Sequence, residues 1–127
     1  MTHTVATLHP IETVAFDHAT LAAFCTAEGP RAEETITKAL TDVETLIAQI
    51  GAQGDHVRGV MRSCAELQRI SALIGMTTIR DAAGAVLTCL AQDDATALRA
   101  CIARLVRLGE PKQTGGWAME RTPDTVA

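Results

Sequence analysis

The residues of this 127-residue chain that could carry chemistry are four histidines, four cysteines and two adjacent carboxylate pairs. The carboxylate pairs are Glu33-Glu34 and Asp93-Asp94. General acid–base work needs titratable groups that converge on a pocket. Both pairs instead stand where helices are expected to start, and there capping and the helix dipole account for them. Cys25, Cys64, Cys89 and Cys101 form no Cys-x-x-Cys pair, and no Cys or His lies at ligand spacing from another. Neither a disulfide framework nor a zinc site is therefore expected, and the cysteines read as small core hydrophobes. No helix carries the Glu-x-x-His of a di-iron bundle. Gly51-x-x-Gly54 is too short for a phosphate loop and lacks its lysine. His18 and His56 fall in first helical turns and read as solvated surface groups. Trp117 suits a packing contact as well as a ligand contact. No metal and no cofactor is expected.

The elements that must position these residues follow from apolar periodicity. Residues 1–15, with His3, His9 and Pro10, read as a flexible N-terminal arm. Asp17 offers an N-cap for a short helix carrying Leu21, Phe24 and Cys25, and Gly29-Pro30 ends it and opens the next. The second helix runs to about Ile50, with Ile36, Ala39, Leu40, Val43, Leu46, Ile47 and Ile50 at steps of three and four. Gly51 and Gly54 break the chain, and Asp55 caps a third helix. Its stripe is Val57, Val60, Cys64, Leu67, Ser71 and Ile74, with Gly75 as C-cap. Thr78 caps a fourth helix carrying Ile79, Ala83, Val86, Leu87 and Leu90. Asp93 or Asp94 caps a fifth, with Leu98, Cys101, Ile102, Leu105 and Leu108, and Gly109 and Pro111 end it. Residues 110–127, with Gly115-Gly116 and Pro123, read as a flexible tail. Short loops between long amphipathic helices predict an all-α, up-down-up-down antiparallel four-helix bundle over residues 16–109, with the short first helix capping one end.

Composition agrees. Hydrophobic residues make up 47% and charged residues 20%, which is a globular balance. The aromatics are Phe16, Phe24 and Trp117, with no Tyr, so the core must be built from Leu, Ile, Val and Ala, which favours helices. A formal net charge of −4 argues against a nucleic-acid partner. No apolar run approaches the roughly 20 residues that span a bilayer, and no signal-peptide pattern opens the chain. A cytoplasmic monomer without membrane contact is the expectation.

From Ser63 to Leu90 the chain reads SCAELQRISALIGMTTIRDAAGAVLTCL. This resembles the histidine-containing phosphotransfer domains of two-component phosphorelays. Their central helix carries His-x-x-Lys-Gly with an apolar residue two after the histidine and an apolar-Gly pair nine and ten after it. Ile74-Gly75 matches that pair, which places Ala65 at the histidine position and Leu67 two after it. Ser71-Ala72 fill the family's small positions. Downstream, Ile79, Ala83, Val86 and Leu90 and then AQDDATAL follow the family's fourth helix, acidic turn and last helix. Upstream, Phe16-Asp17 and Leu21 resemble its opening helix. The resemblance covers roughly residues 16 to 108.

The resemblance implies a fold kept and a chemistry lost. In the family the histidine takes the phosphoryl group from a phosphoaspartate. Ala65 has no nucleophile. Gln68 replaces the lysine that neutralises phosphoryl charge, and Arg69 replaces the glycine that leaves room for the partner. The expected function is a pseudo-phosphotransfer module that docks a receiver domain or a histidine kinase without accepting phosphate. Its docking surface would be Arg58, Met61, Arg62, Glu66, Gln68, Arg69 and Ala72 around Ala65, with Arg62 and Arg69 facing a receiver's acidic pocket. Met61 suits an adaptable contact. The alternatives are an active phosphotransferase using His56 (in His56-Val57-Arg58-Gly59) or His18, and a helical bundle with no signalling role. His56 stands three residues before its glycine instead of four, and sixteen residues separate Gly59 from Gly75 where the family has six.

Overall fold

The computed structural model describes residues 12–110. Asp17 caps α1 (His18–Glu28): its Oδ1 accepts from the Ala19 amide at 3.1 Å and its Oδ2 from the Thr20 hydroxyl at 2.9 Å. Both bonds favour the ionised form, and the Asp17 carboxyl is held below its ordinary range, first by Thr20. Gly29, at φ 64°, ends α1, and Pro30 sits in a single 3₁₀ turn, Gly29–Arg31. α2 (Ala32–Gln53) then begins with Glu33 and Glu34 in its first turn. It does not stop at Ile50. Gly51 is helical, and a Cβ there would stand 3.0 Å from a Val106 methyl. That glycine lets two helices approach and is not a breaker. Gly54 makes the turn instead.

The cap of α3 (Val57–Ile74) is His56, not Asp55: His56 Nδ1 accepts from the Gly59 amide at 3.1 Å. Gly75 ends α3 in the left-handed region at φ 79°, ψ 21°. The expected cap, Thr78, lies inside α4 (Thr77–Gln92): the N-cap position is held by Met76, whose side chain makes no capping bond, and the Thr78 hydroxyl instead accepts from the Ala15 amide at 2.9 Å. Asp93 closes α4 as a left-handed C-cap, and Asp94 caps α5 (Ala95–Leu108) through the Ala97 amide at 3.0 Å. The acidic pair is thus one stop and one start.

α2, α3, α4 and α5 form a ring in which each packs on the next and α2 closes on α5. The turns between them are short, so successive helices run antiparallel and the four make an up-down-up-down bundle. α1 packs against α2 and α3. Among the described residues there is no strand, and no helix is long and apolar enough to cross a membrane. The core is aliphatic: Leu40, Val43, Ile50, Val60, Leu67, Ile74, Met76, Ile79, Val86 and Leu105 are essentially inaccessible, and each contributes about 1.5–3 kcal/mol by burial. On α3 the stripe holds from Val60 to Ile74, but Val57, the first helical residue, is 50% exposed. Ser63 and Ile70 are also buried. The stripe is wider than one seam because α3 meets α2, α4 and α1 together.

Residues 12–15, read from sequence as part of a loose arm, are fastened to the bundle. Val14 is buried. The Ala15 carbonyl accepts the Thr77 amide at 3.1 Å, Phe16 and Met76 form an antiparallel bridge, and the Asp17 amide donates to the Gly75 carbonyl at 2.7 Å. Glu12 pairs with Arg104 on α5. The chain before α1 therefore clasps the α3–α4 turn and supplies an acceptor to the Thr77 amide, which opens α4 and has no intrahelical partner. The rest of the expected arm, residues 1–11, lies outside the described residues, as does the expected tail from 111 onward with Trp117.

Candidate functional site

Ala65 sits in the middle of α3 with its side chain exposed. Steps of three and four from it along a 3.6-residue helix give one outward face. Arg58, Met61, Arg62, Arg69 and Ala72 all lie exposed on that face, as the spacing predicts. Met61 is 46% exposed. The face carries three arginines and one glutamate and is therefore cationic on a chain of net charge −4.

Two members of the expected surface behave differently. Arg69 is not a free cation: its guanidinium makes a bidentate pair with the half-buried Glu66 one turn earlier. The pairing holds the Glu66 carboxyl below its ordinary range and raises Arg69 further. Both partners are solvent-facing, so the pair fixes geometry more than it adds stability. Gln68 turns away from the face. It is half-buried, its Nε2 donates to the Arg80 carbonyl on α4 at 3.4 Å, and a Cβ on Gly84 would stand 2.8 Å from that nitrogen. Its role is a bridge between α3 and α4, with Gly84 leaving the room.

The sequence reading missed the apolar extension of this face. Leu73, one turn past Arg69, is 51% exposed. It borders a shallow groove of about 400 Å³ that continues to Phe24, Ala39 and Ile70, with Lys38, Asp42, Glu66 and Arg69 at its rim. The signal was present, since Leu73 falls four after Arg69, but the expected face stopped at Ala72. The groove lies where α1 meets α2 and α3.

The remaining candidates stand at helix starts or in the core. His56 stands at the start of α3 with one ring nitrogen engaged by the helix it caps. Nine residues separate it from Ala65, about 13 Å along the axis. His18 opens α1 and is exposed. Cys64 is fully buried, and desolvation pushes its thiol up to about 11, so it is an inert core residue as expected. Among the described residues no group of three His, Cys, Asp or Glu side chains is placed to hold a metal ion.

Comparison of the chain with protein-family models, with curated proteins and with solved structures returns no match.

Proposed function

We propose that this chain is a docking module of phosphotransfer type that engages a receiver domain or a histidine kinase of a two-component phosphorelay and accepts no phosphate. One observation carries the reading: the middle of α3 presents an exposed alanine, Ala65, inside a surface of exposed arginines and Met61. The resemblance in sequence supplies the partners, and the face supplies the chemistry. Its arginines complement an acidic phosphorylation pocket, and its small residues at 65 and 72 allow close approach. Arg58 and Arg62 are better placed than Arg69 to meet that pocket, because Glu66 already neutralises Arg69. The His56 alternative is the weaker one, since His56 spends a ring nitrogen on its own helix and stands at the bundle end.

The test is titration of the full chain with receiver domains from the same cell, loaded with radiolabelled phosphoryl group. Saturable binding without transfer of label is the expected result, with Arg62→Glu weakening it. Ala65→His alone should accept little label. Ala65→His, Gln68→Lys, Arg69→Gly should accept more, because the three restore nucleophile, charge and room. Acid-labile label on the wild type that vanishes in His56→Ala would overturn the reading. No binding to any receiver or kinase would leave a bundle without a phosphorelay role.

A further inference from the structure

The four cysteines looked from sequence like separate core residues, and the fold brings two of them together. Cys89, in the last turn of α4, and Cys101, in the middle of α5, place their sulfurs 3.6 Å apart. Both thiols are free. A disulfide bond is about 2.05 Å long, so the sulfurs need to close by only about 1.5 Å. The geometry points to Cys89 and Cys101 as a dithiol that a low-molecular-weight disulfide oxidises to an intramolecular disulfide tying α4 to α5.

The two sulfurs have different surroundings, and these set the order of events. Cys101 is half-buried, open enough for a small reagent to reach. Cys89 is 8% exposed. Burial first, then the Cys101 sulfur and the Asp94 carboxylate, hold its thiol above the ordinary range. Cys101 is therefore the attacking sulfur and Cys89 the resolving one. The Cys101 thiolate attacks one sulfur of the small disulfide, whose S–S bond breaks and releases one thiolate, which takes up a proton. The Cys89 thiol loses its proton and attacks the Cys101 sulfur of the mixed disulfide, expelling the second small thiolate, which is protonated in turn. Two protein thiols are oxidised and one disulfide is reduced to two thiols.

The consequence is local and mechanical. Cys89 borders a cleft of about 270 Å³ at the end of the bundle, between the α2–α3 and α4–α5 turns, whose wall includes Val57, Leu90, Leu98 and Ile102. A bond between α4 and α5 here fixes the width of that cleft's α4–α5 wall. It does not touch the outward face of α3.

The experiment incubates the reduced full chain with excess glutathione disulfide, quenches with acid and alkylates the remaining thiols. Peptide mapping should find Cys89 joined to Cys101, with Cys64 alkylated only after denaturation. The oxidised protein should melt about 5–10 °C higher than the reduced one, a gain reversed by dithiothreitol. Cys89→Ala should trap Cys101 as a stable mixed disulfide with glutathione, and Cys101→Ala should leave Cys89 unmodified over the same period. Wild-type protein that accumulates the mixed disulfide on Cys101 with no link to Cys89 would overturn the inference. So would modification of Cys89 in Cys101→Ala at the wild-type rate. The wild-type peptide map decides the matter even if a variant fails to fold.

Discussion

Gly75 resists replacement on two counts, and Gly75→Ala puts a number on that. Two penalties add. The residue holds φ 79°, ψ 21°, and an L side chain in the left-handed region costs about 1 kcal/mol or slightly more. An added Cβ would also stand 2.8 Å from the Asp17 carbonyl and 3.2 Å from the Thr20 Cβ. The first contact is with backbone, which cannot swing aside, and forcing it apart costs roughly a further 1–2 kcal/mol. The total is about 2–3 kcal/mol. Asp93 provides the reference, because it closes α4 with a left-handed residue (φ 57°, ψ 39°) that already carries a Cβ. Asp93→Gly should therefore gain up to about 1 kcal/mol, the conformational part with its sign reversed. Urea unfolding of both variants, fitted with a common m-value, separates the two parts. Amide hydrogen exchange at Asp17 and Thr77, whose bonds join residues 15–17 to the α3–α4 turn, should speed up in Gly75→Ala more than exchange in α2. If Gly75→Ala loses no more than Asp93→Gly gains, the close approach of residue 17 to this turn is wrong and the clasp must be redrawn.

Leu67→Ala should cost about 2–5 kcal/mol, since Leu67 is fully buried at the centre of α3, whereas Arg69→Ala should leave the urea midpoint unchanged; equal effects would mean that α3 is rotated. Gly109→Ala should destabilise by roughly 1–3 kcal/mol, because the new Cβ would stand 2.7 Å from Ile47, whose buried side chain has nowhere to go. Ser71→Ala should be neutral or stabilising by about 1 kcal/mol in the same assay, because the Ser71 hydroxyl is buried and makes no hydrogen bond. Arg104 holds the Glu12 carboxyl below its ordinary value of 4.5 through their hydrogen bond, so the pair's contribution is present above that value and is lost as pH falls through the lowered one. Glu12→Gln should accordingly flatten the acid limb of stability against pH, and an unchanged limb would show that the pair is not formed in solution.

The helices were legible where side chains carry their boundaries. Asp17, Gly29, Gly75 and Asp94 punctuate the chain as their types predict, and the α3 stripe from Val60 to Ile74 read correctly because three neighbouring helices cover it. What stayed hidden depends on tertiary proximity. Gly51 looked like a breaker because nothing local shows that Val106 approaches it. Asp55 looked like a better cap than His56, whose ring serves because Gly59 leaves space for it. The burial of Val14 and Met76 follows from a pairing across sixty residues that no periodicity records. The outward face of α3 was legible as a face, but not the Glu66–Arg69 pair or the turn of Gln68 toward α4. Cys89 and Cys101 met for a reason that lies in the α4–α5 hairpin and not in their spacing.

The ring of helices also sets an order of assembly. α2–α3, α3–α4 and α4–α5 are hairpins of neighbouring segments, so each can zip with little loss of chain entropy. The α2–α5 seam and the bonds from residues 12–17 to residues 75–78 and 104 close loops of some sixty to ninety residues. These late contacts should be absent from the folding transition state. Substitutions in them, Glu12→Gln among them, should hasten unfolding and leave the folding rate alone, whereas a truncation in the α3–α4 hairpin such as Ile79→Ala should slow folding. The clasp over the α3–α4 turn is in that sense a latch on the exit from the native state, and its strength governs how long the folded chain lasts more than how quickly it forms.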